Sequence, residues 1–211
     1  KGGCIYCNNH SFNPNYNTLQ KTITQQIDEN IIKFYKPRKK TGFIAYLQSH
    51  TNTHDPLHEL EKIYFEAIKH ASVEGLIIAT RPDCLTDKVL DLIAQINQEI
   101  FTGIESTNNK TLYKINRGHT GEDTLDTIYR VKNRHIHLGG HIILGLPGED
   151  ESDLTVHANK IAELPLDTIK LHQLQIIKNT PLEKEFDKHP SGFTLFELDH
   201  YIDICIAFLE K

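Results

Sequence analysis

With 211 residues, the chain is long enough to bury its own core as one domain without disulfide or metal staples. Its 38% hydrophobic and 24% charged residues exclude an intrinsically disordered chain, and no apolar run approaches the length of a membrane span. A net charge of −5 provides no overall basic footprint for nucleic acid; Lys36, Arg38, Lys39 and Lys40 form only a short basic cluster of the kind usual in solvated loops.

In chain order, the first feature is GGCIYC, which sets Cys4 and Cys7 in CxxC spacing at the start of the sequence. Leu19, Ile23, Ile27, Ile31 and Phe34 then recur at helical spacing, predicting an amphipathic helix from Thr18 to Lys36 that Pro37 ends. GFIAYLQ (42–48) reads as a buried strand. THDP follows, with Asp55 expected as N-cap and Pro56 at the first position of a helix to about Ser72. Strands are expected at 74–80, 99–106, 135–145 and 167–177. Helices are expected from Thr86 to about Gln98 and over about 108–115, 121–134, 151–164 and 194–210. The strands are almost continuously apolar, as strands covered on both faces must be.

Alternating β and α units predict an α/β fold, a partial (β/α)6 TIM-like barrel of parallel strands. Five strands are visible, and a first strand is expected upstream of Cys4. Residues 1–190 are read as the barrel core and 191–211 as a C-terminal helical segment that continues beyond the chain. Methionine is absent even at position 1, read either as a biological start upstream of Lys1 or as methionines left out of the sequence. Functional residues in such a fold sit at the C-terminal ends of the strands. That rule selects 48–53, 80–83, Glu105 and Ser106, 145–149, and the stretch after Leu171.

Thiolates in CxxC spacing can hold zinc, an iron–sulfur cluster or each other. Zinc would want a second pair, yet Cys84 and Cys205 stand alone and read as small buried side chains. A zinc-binding or interaction module and a thiol redox protein are therefore the alternatives to a cluster. TNTHDP can offer hydroxyls and backbone N–H groups to an anion, or can simply cap a helix. Glu105 in GIES and Arg117 in INRGHT can hold a zwitterion, or pair with each other at the surface. The glycines of HIILGLPGE permit close approach of a ligand or make a tight turn. The thirteen histidines are too scattered for a metal motif; His141 and His172 differ in lying on rim-facing strands. No apolar segment follows Lys1 as in a signal peptide, and the cysteine usage points to a reducing, cytoplasmic setting without a membrane.

Taken together, GGCIYCNN, FIAYLQSHTNTHDP, LIIATRPDCL, TGIES…INRGHT, HIILGLPGE and IKLHQLQIIKNTPL resemble the radical S-adenosylmethionine (SAM) superfamily. They are most similar to its YhcC-type branch, related to the elongator catalytic subunit and the oxygen-independent coproporphyrinogen oxidases. The resemblance spans residues 2 to about 183. It implies a [4Fe–4S] cluster and SAM as cofactors, with Cys4 and Cys7 as the second and third cluster ligands and the first upstream of Lys1. It implies SAM contacts from Tyr6, near the adenine, and from Thr51, Asn52 and Thr53, near the methionyl amino group. It places Glu105 toward the ribose or methionine, Arg117 on the carboxylate side, and His141 where a relative carries a ribose-binding aspartate. Ala79 departs from the glutamate of the ETRPD pattern. The implied chemistry is reductive cleavage of SAM and abstraction of a substrate hydrogen, with electrons from a donor such as flavodoxin or ferredoxin. The elongator likeness implies RNA, tRNA included, as a substrate class, which the acidic net charge does not support.

Overall fold

The computed structural model describes residues 3–8, 11, 20–35, 42–48, 50–96 and 98–211. Five parallel strands, β1 (Phe43–Leu47), β2 (Val73–Thr80), β3 (Glu99–Glu105), β4 (Leu138–Leu144) and β5 (Thr168–Gln173), lie side by side in sequence order. Each pair is linked by helix: α1 (Ile23–Phe34) precedes β1, and α2 (Leu57–Ile68), α3 (Asp87–Gln95), α4 (Asn109–Lys114), α5 (Gly121–Lys132) and α6 (Glu151–Ala162) fill the crossovers. α7 (Pro181–Lys188) and α8 (Leu198–Leu209) follow β5.

Alternate strand residues go to opposite faces. Leu76 and Ile78 of β2, Ile100 and Ile104 of β3, and Leu138, Ile142 and Leu144 of β4 are buried in one core with Leu60, Tyr64, Leu90, Ile93, Ile128, Val131 and Leu154 of the covering helices. The other face turns inward on itself. A flat five-stranded sheet would hold its edges ~19 Å apart. Here Tyr46 of β1 hydrogen-bonds His141 Nε2 of β4 at 3.1 Å, and Lys170 Nζ of β5 lies 5.6 Å from the Tyr46 ring centroid. The sheet is therefore curled into a half-barrel. Phe101 and His172 complete its aromatic interior, each about 5 Å from His141 (5.3 and 5.1 Å between ring centroids). Gly139 makes room for this packing, because a β-carbon there would collide with the Phe101 ring.

The predicted α/β half-barrel is what folds, and five parallel strands are present among the described residues. Element ends differ in detail. The first helix begins at Ile23 because Thr22 and Gln25 form a reciprocal capping box; Leu19, Lys36 and Pro37 lie outside the described residues. Pro56, expected inside α2, instead stands at its cap with φ −53° and ψ 140°, and no side chain caps that helix. Strand β4 starts at Leu138 rather than 135, because His135 takes a left-handed turn at φ 56° after α5. The sequence reading did not include α7, although Thr180 accepts a hydrogen bond from Glu183 N at 3.1 Å and Pro181 occupies the first turn.

Candidate cofactor site at the barrel rim

The CxxC segment is a tight turn, Cys7 N donating to Cys4 O at 3.1 Å. Backbone bonds hold it over the C-terminal ends of the strands: Ile5 N to Ile115 O and Leu182 N to Ile5 O, both 3.0 Å. Asn116 Nδ2 also donates to Gly3 O at 2.9 Å. Ile5 and Tyr6 pack against a second apolar cluster of Leu112, Ile115, Leu146, Leu174 and Leu182. None of the four cysteines forms a disulfide.

Below the turn, Glu105 and Arg117 form an ion pair of 3.1 Å with side chains only 10% and 9% exposed. Glu105 ends β3 in the left-handed region at φ 67°. Arg117 is fixed on several sides. Its Nε donates to His119 Nε2 at 3.1 Å, its Nη2 to Gly103 O at 2.8 Å and its Nη1 to Cys4 Sγ at 3.3 Å. A β-carbon on Gly103 would collide with both Arg117 Nη2 and Glu105 Oε1, so glycine is what lets the pair lie against the strand. Burial alone would push the guanidinium toward neutrality, but Glu105, Tyr6 and Cys4 outweigh it and hold Arg117 charged. Burial raises the Glu105 carboxyl, with Arg117 and Tyr6 pulling the other way. Burial also raises the Tyr6 phenol, reinforced by Glu105, and the Cys7 thiol, reinforced by Cys4. His119 is held neutral by burial and by Arg117, which suits it to accept the Nε proton while Nδ1 faces Thr120 O at 3.2 Å.

A cavity of about 500 Å3 opens under the cysteine turn, within the size range of small-molecule sites. Cys4, Tyr6, Cys7, Thr51, Glu105, Arg117 and His141 all line it, and so do Gln48, His50, Arg81, Phe101 and His172. Asn52 and Thr53 turn inward instead. Asn52 Nδ2 donates to Leu47 O at 2.8 Å and Ala79 O at 3.1 Å, and Thr53 Oγ1 meets Thr80 Oγ1 at 2.5 Å. These two residues join the ends of β1 and β2 and so place Thr51. Deeper in the cavity, burial pushes His141 down to about 3, aided by His172, Lys170 and Arg117.

The glycines of GLPG make a turn and do not line the cavity: Gly145 and Gly148 have φ 84° and 86°. That turn delivers Glu149 to a buried cluster. Ser106 Oγ donates to Glu149 Oε1 at 2.5 Å, and His157 Nε2 lies 3.0 Å from the same oxygen without hydrogen-bond alignment. Thr107 Oγ1 meets His157 Nδ1 at 2.7 Å. The cluster braces the residues immediately after Glu105.

Two thiols, a fixed guanidinium and a roomy cavity of mixed polar and apolar lining fit a metal cluster with an anionic, amino-acid-like ligand beside it. Among the described residues, no three His, Cys, Asp or Glu side chains converge as a metal site. The family model for the radical SAM superfamily matches residues 1–161, and that for the radical SAM C-terminal domain matches residues 166–211. The chain belongs to the radical SAM superfamily. YhcC of Escherichia coli K12 is 30% identical over 192 residues, covering 89% of this chain, which spans 61% of that relative's length. Among solved structures, the Elp3 of the archaeon Methanocaldococcus infernus superposes with a TM-score of 0.72 at 17% identity, covering 88% of this chain and 48% of that one. The Escherichia coli coproporphyrinogen III oxidase HemN, a radical SAM enzyme, gives 0.65 at 17% identity over 99% of this chain and 50% of that one. At these identities the two structures attest the half-barrel fold of the radical SAM chain. No helix among the described residues is long and apolar enough to cross a membrane.

Proposed function

We propose that the chain is the catalytic half-barrel of a radical SAM enzyme that cleaves SAM reductively and abstracts a hydrogen atom from its substrate. The observation that carries this reading is the convergence of Cys4, Cys7, Glu105 and Arg117, far apart in sequence, on one cavity at the strand ends. Cys4 and Cys7 would hold two irons of a [4Fe–4S] cluster. The bound, reduced cluster would supply the electron for reductive cleavage of SAM, and with it the chemistry for abstracting a substrate hydrogen.

The residues around it bind, orient and exclude water. Arg117 offers a permanent positive charge for the SAM carboxylate, in a pocket dry enough for the contact to count. Thr51 is set by Asn52 and Thr53 to meet the amino group, with Tyr6 near the adenine and Glu105 near the ribose or methionine. His141, neutral across the physiological range, would meet the cofactor's hydroxyls as an uncharged partner. The electron donor is a protein of flavodoxin or ferredoxin class.

Full-length protein purified anaerobically, reconstituted with iron and sulfide and treated with reductant and SAM is expected to form 5′-deoxyadenosine. Protein that binds no iron under these conditions and forms none would refute the proposal.

A further inference from the structure

Arginine carries five N–H donors in a rigid planar fork. Three of those of Arg117 are hydrogen-bonded. Nε goes to His119 Nε2, one Nη2 hydrogen to Gly103 O and one Nη1 hydrogen to Cys4 Sγ at 3.3 Å, while Glu105 Oε1 lies 3.1 Å from Nη2 as its ion-pair partner. The first two bonds and the ion pair anchor the guanidinium to the barrel itself, on β3 and the segment after α4. The Nη1 bond reaches across to the cysteine turn, 113 positions away in sequence. The second Nη1 hydrogen has no partner among the described residues, and Arg117 lines the cavity.

We propose that Arg117 is a positioning residue that sets the reduction potential of the cluster through Cys4 Sγ, and that the same Nη1 group meets the SAM carboxylate. Cofactor binding and cluster potential are then linked through one side chain. This inference rests on the radical SAM reading above. Hydrogen bonds to ligand sulfurs are among the main determinants of iron–sulfur potentials. A positive donor stabilises the reduced cluster, which has gained one electron from the external donor and is the more negative state. The effect is large where water is excluded, and this guanidinium is 9% exposed. It is also well defined, because two anchoring hydrogen bonds and the ion pair leave Arg117 little freedom to follow either partner. Gly103 is part of the device: a β-carbon there would displace Nη2 and tilt Nη1 away from the sulfur.

The test is a redox titration of the reconstituted full-length protein followed by electron paramagnetic resonance, with and without SAM. Arg117→Gln is expected to shift the midpoint to lower potential, Arg117→Lys to fall between, and Gly103→Ala to lower it with the arginine still present. The shift that SAM causes in the wild type is expected to shrink in all three. Because Arg117→Gln strands the buried Glu105, the double variant Arg117→Gln/Glu105→Gln serves as a folded control and is expected to lie low as well. Iron-replete variants whose potentials and SAM-induced shifts match the wild type would overturn the proposal. A wild type that assembles no cluster would instead overturn the underlying reading. It would show as missing iron, not as an unmoved potential.

Discussion

Removing the Glu105 carboxylate tests whether the rim is held by its buried ion pair. At 3.1 Å the two charges attract by ~5 kcal/mol at an effective dielectric of about 20. Glu105→Ala forfeits that attraction but also removes the cost of burying the carboxylate itself. Breaking one side of a buried pair typically costs about 3–5 kcal/mol. The low end applies here, because Arg117 keeps its bonds to Gly103 O, His119 and Cys4. A loss of about 3 kcal/mol is expected from urea unfolding of the metal-free protein. Glu105→Gln keeps the shape and an acceptor oxygen, and is expected to lose about 1–2 kcal/mol. Adding Arg117→Met to Glu105→Ala removes the stranded guanidinium and is expected to recover part of the loss. A Glu105→Ala loss below ~1 kcal/mol would mean that the pair is solvated in solution, and would refute the argument.

The remaining predictions concern the ligands, the brace and the interior. Cys4→Ser and Cys7→Ser are each expected to lose most of the iron taken up on anaerobic reconstitution, read by iron assay and visible absorption, while unfolding at the same urea concentration as the wild type. Glu149→Ala leaves the buried His157 and Ser106 facing a void, and a loss of about 3 kcal/mol is expected from thermal unfolding. The His141 imidazole stays neutral in the fold down to about 3, whereas in the unfolded chain it protonates near ~6.5. Above pH ~6.5 both states are neutral. Below it the unfolded state binds the extra proton, so stability falls with pH by at most about 1.4 kcal/mol per unit. His141→Gln is expected to flatten unfolding free energy against pH between ~6.5 and 4.5, and an unchanged slope would contradict the assignment.

The sequence made the alternating units legible because the strands are largely apolar and each helix carries a stripe, although β5 sets Lys170 and His172 on its inner face. Glu105 was legible because it falls at a strand end, whereas Cys4 and Cys7 stood out by their CxxC spacing and Arg117 by the GIES…INRGHT stretch. The sequence could not show that Glu105 and Arg117 pair underneath the cysteine turn, since that depends on a missing side chain at Gly103 and on the curl of the sheet. The rim rule grouped Thr51, Asn52 and Thr53, but a backbone turn alternates direction, and only Thr51 lines the cavity. His119 escaped notice as one of thirteen histidines; its place two residues after Arg117 was the available signal. In the sequence Glu149 is only an acidic residue ahead of the helix expected at 151–164. Only the tertiary structure brings it to Ser106 and His157.

The small helix α7 has a bearing on how the protein can be cut. Leu182 N reaches Ile5 O, and Asn8 Nδ2 reaches Lys178 O at 3.1 Å, so both flanks of the cysteine turn are moored to the stretch that opens α7. A chain trimmed after residue 161 would keep both thiols, Glu105, Arg117 and Glu149. It would lose the mooring together with β5 and the Leu174 and Leu182 side chains beneath Ile5. Deletion from the C-terminal side is therefore a lesion of the N-terminal loop. A protease that nicks the chain near residue 180 should release iron before it unfolds the barrel.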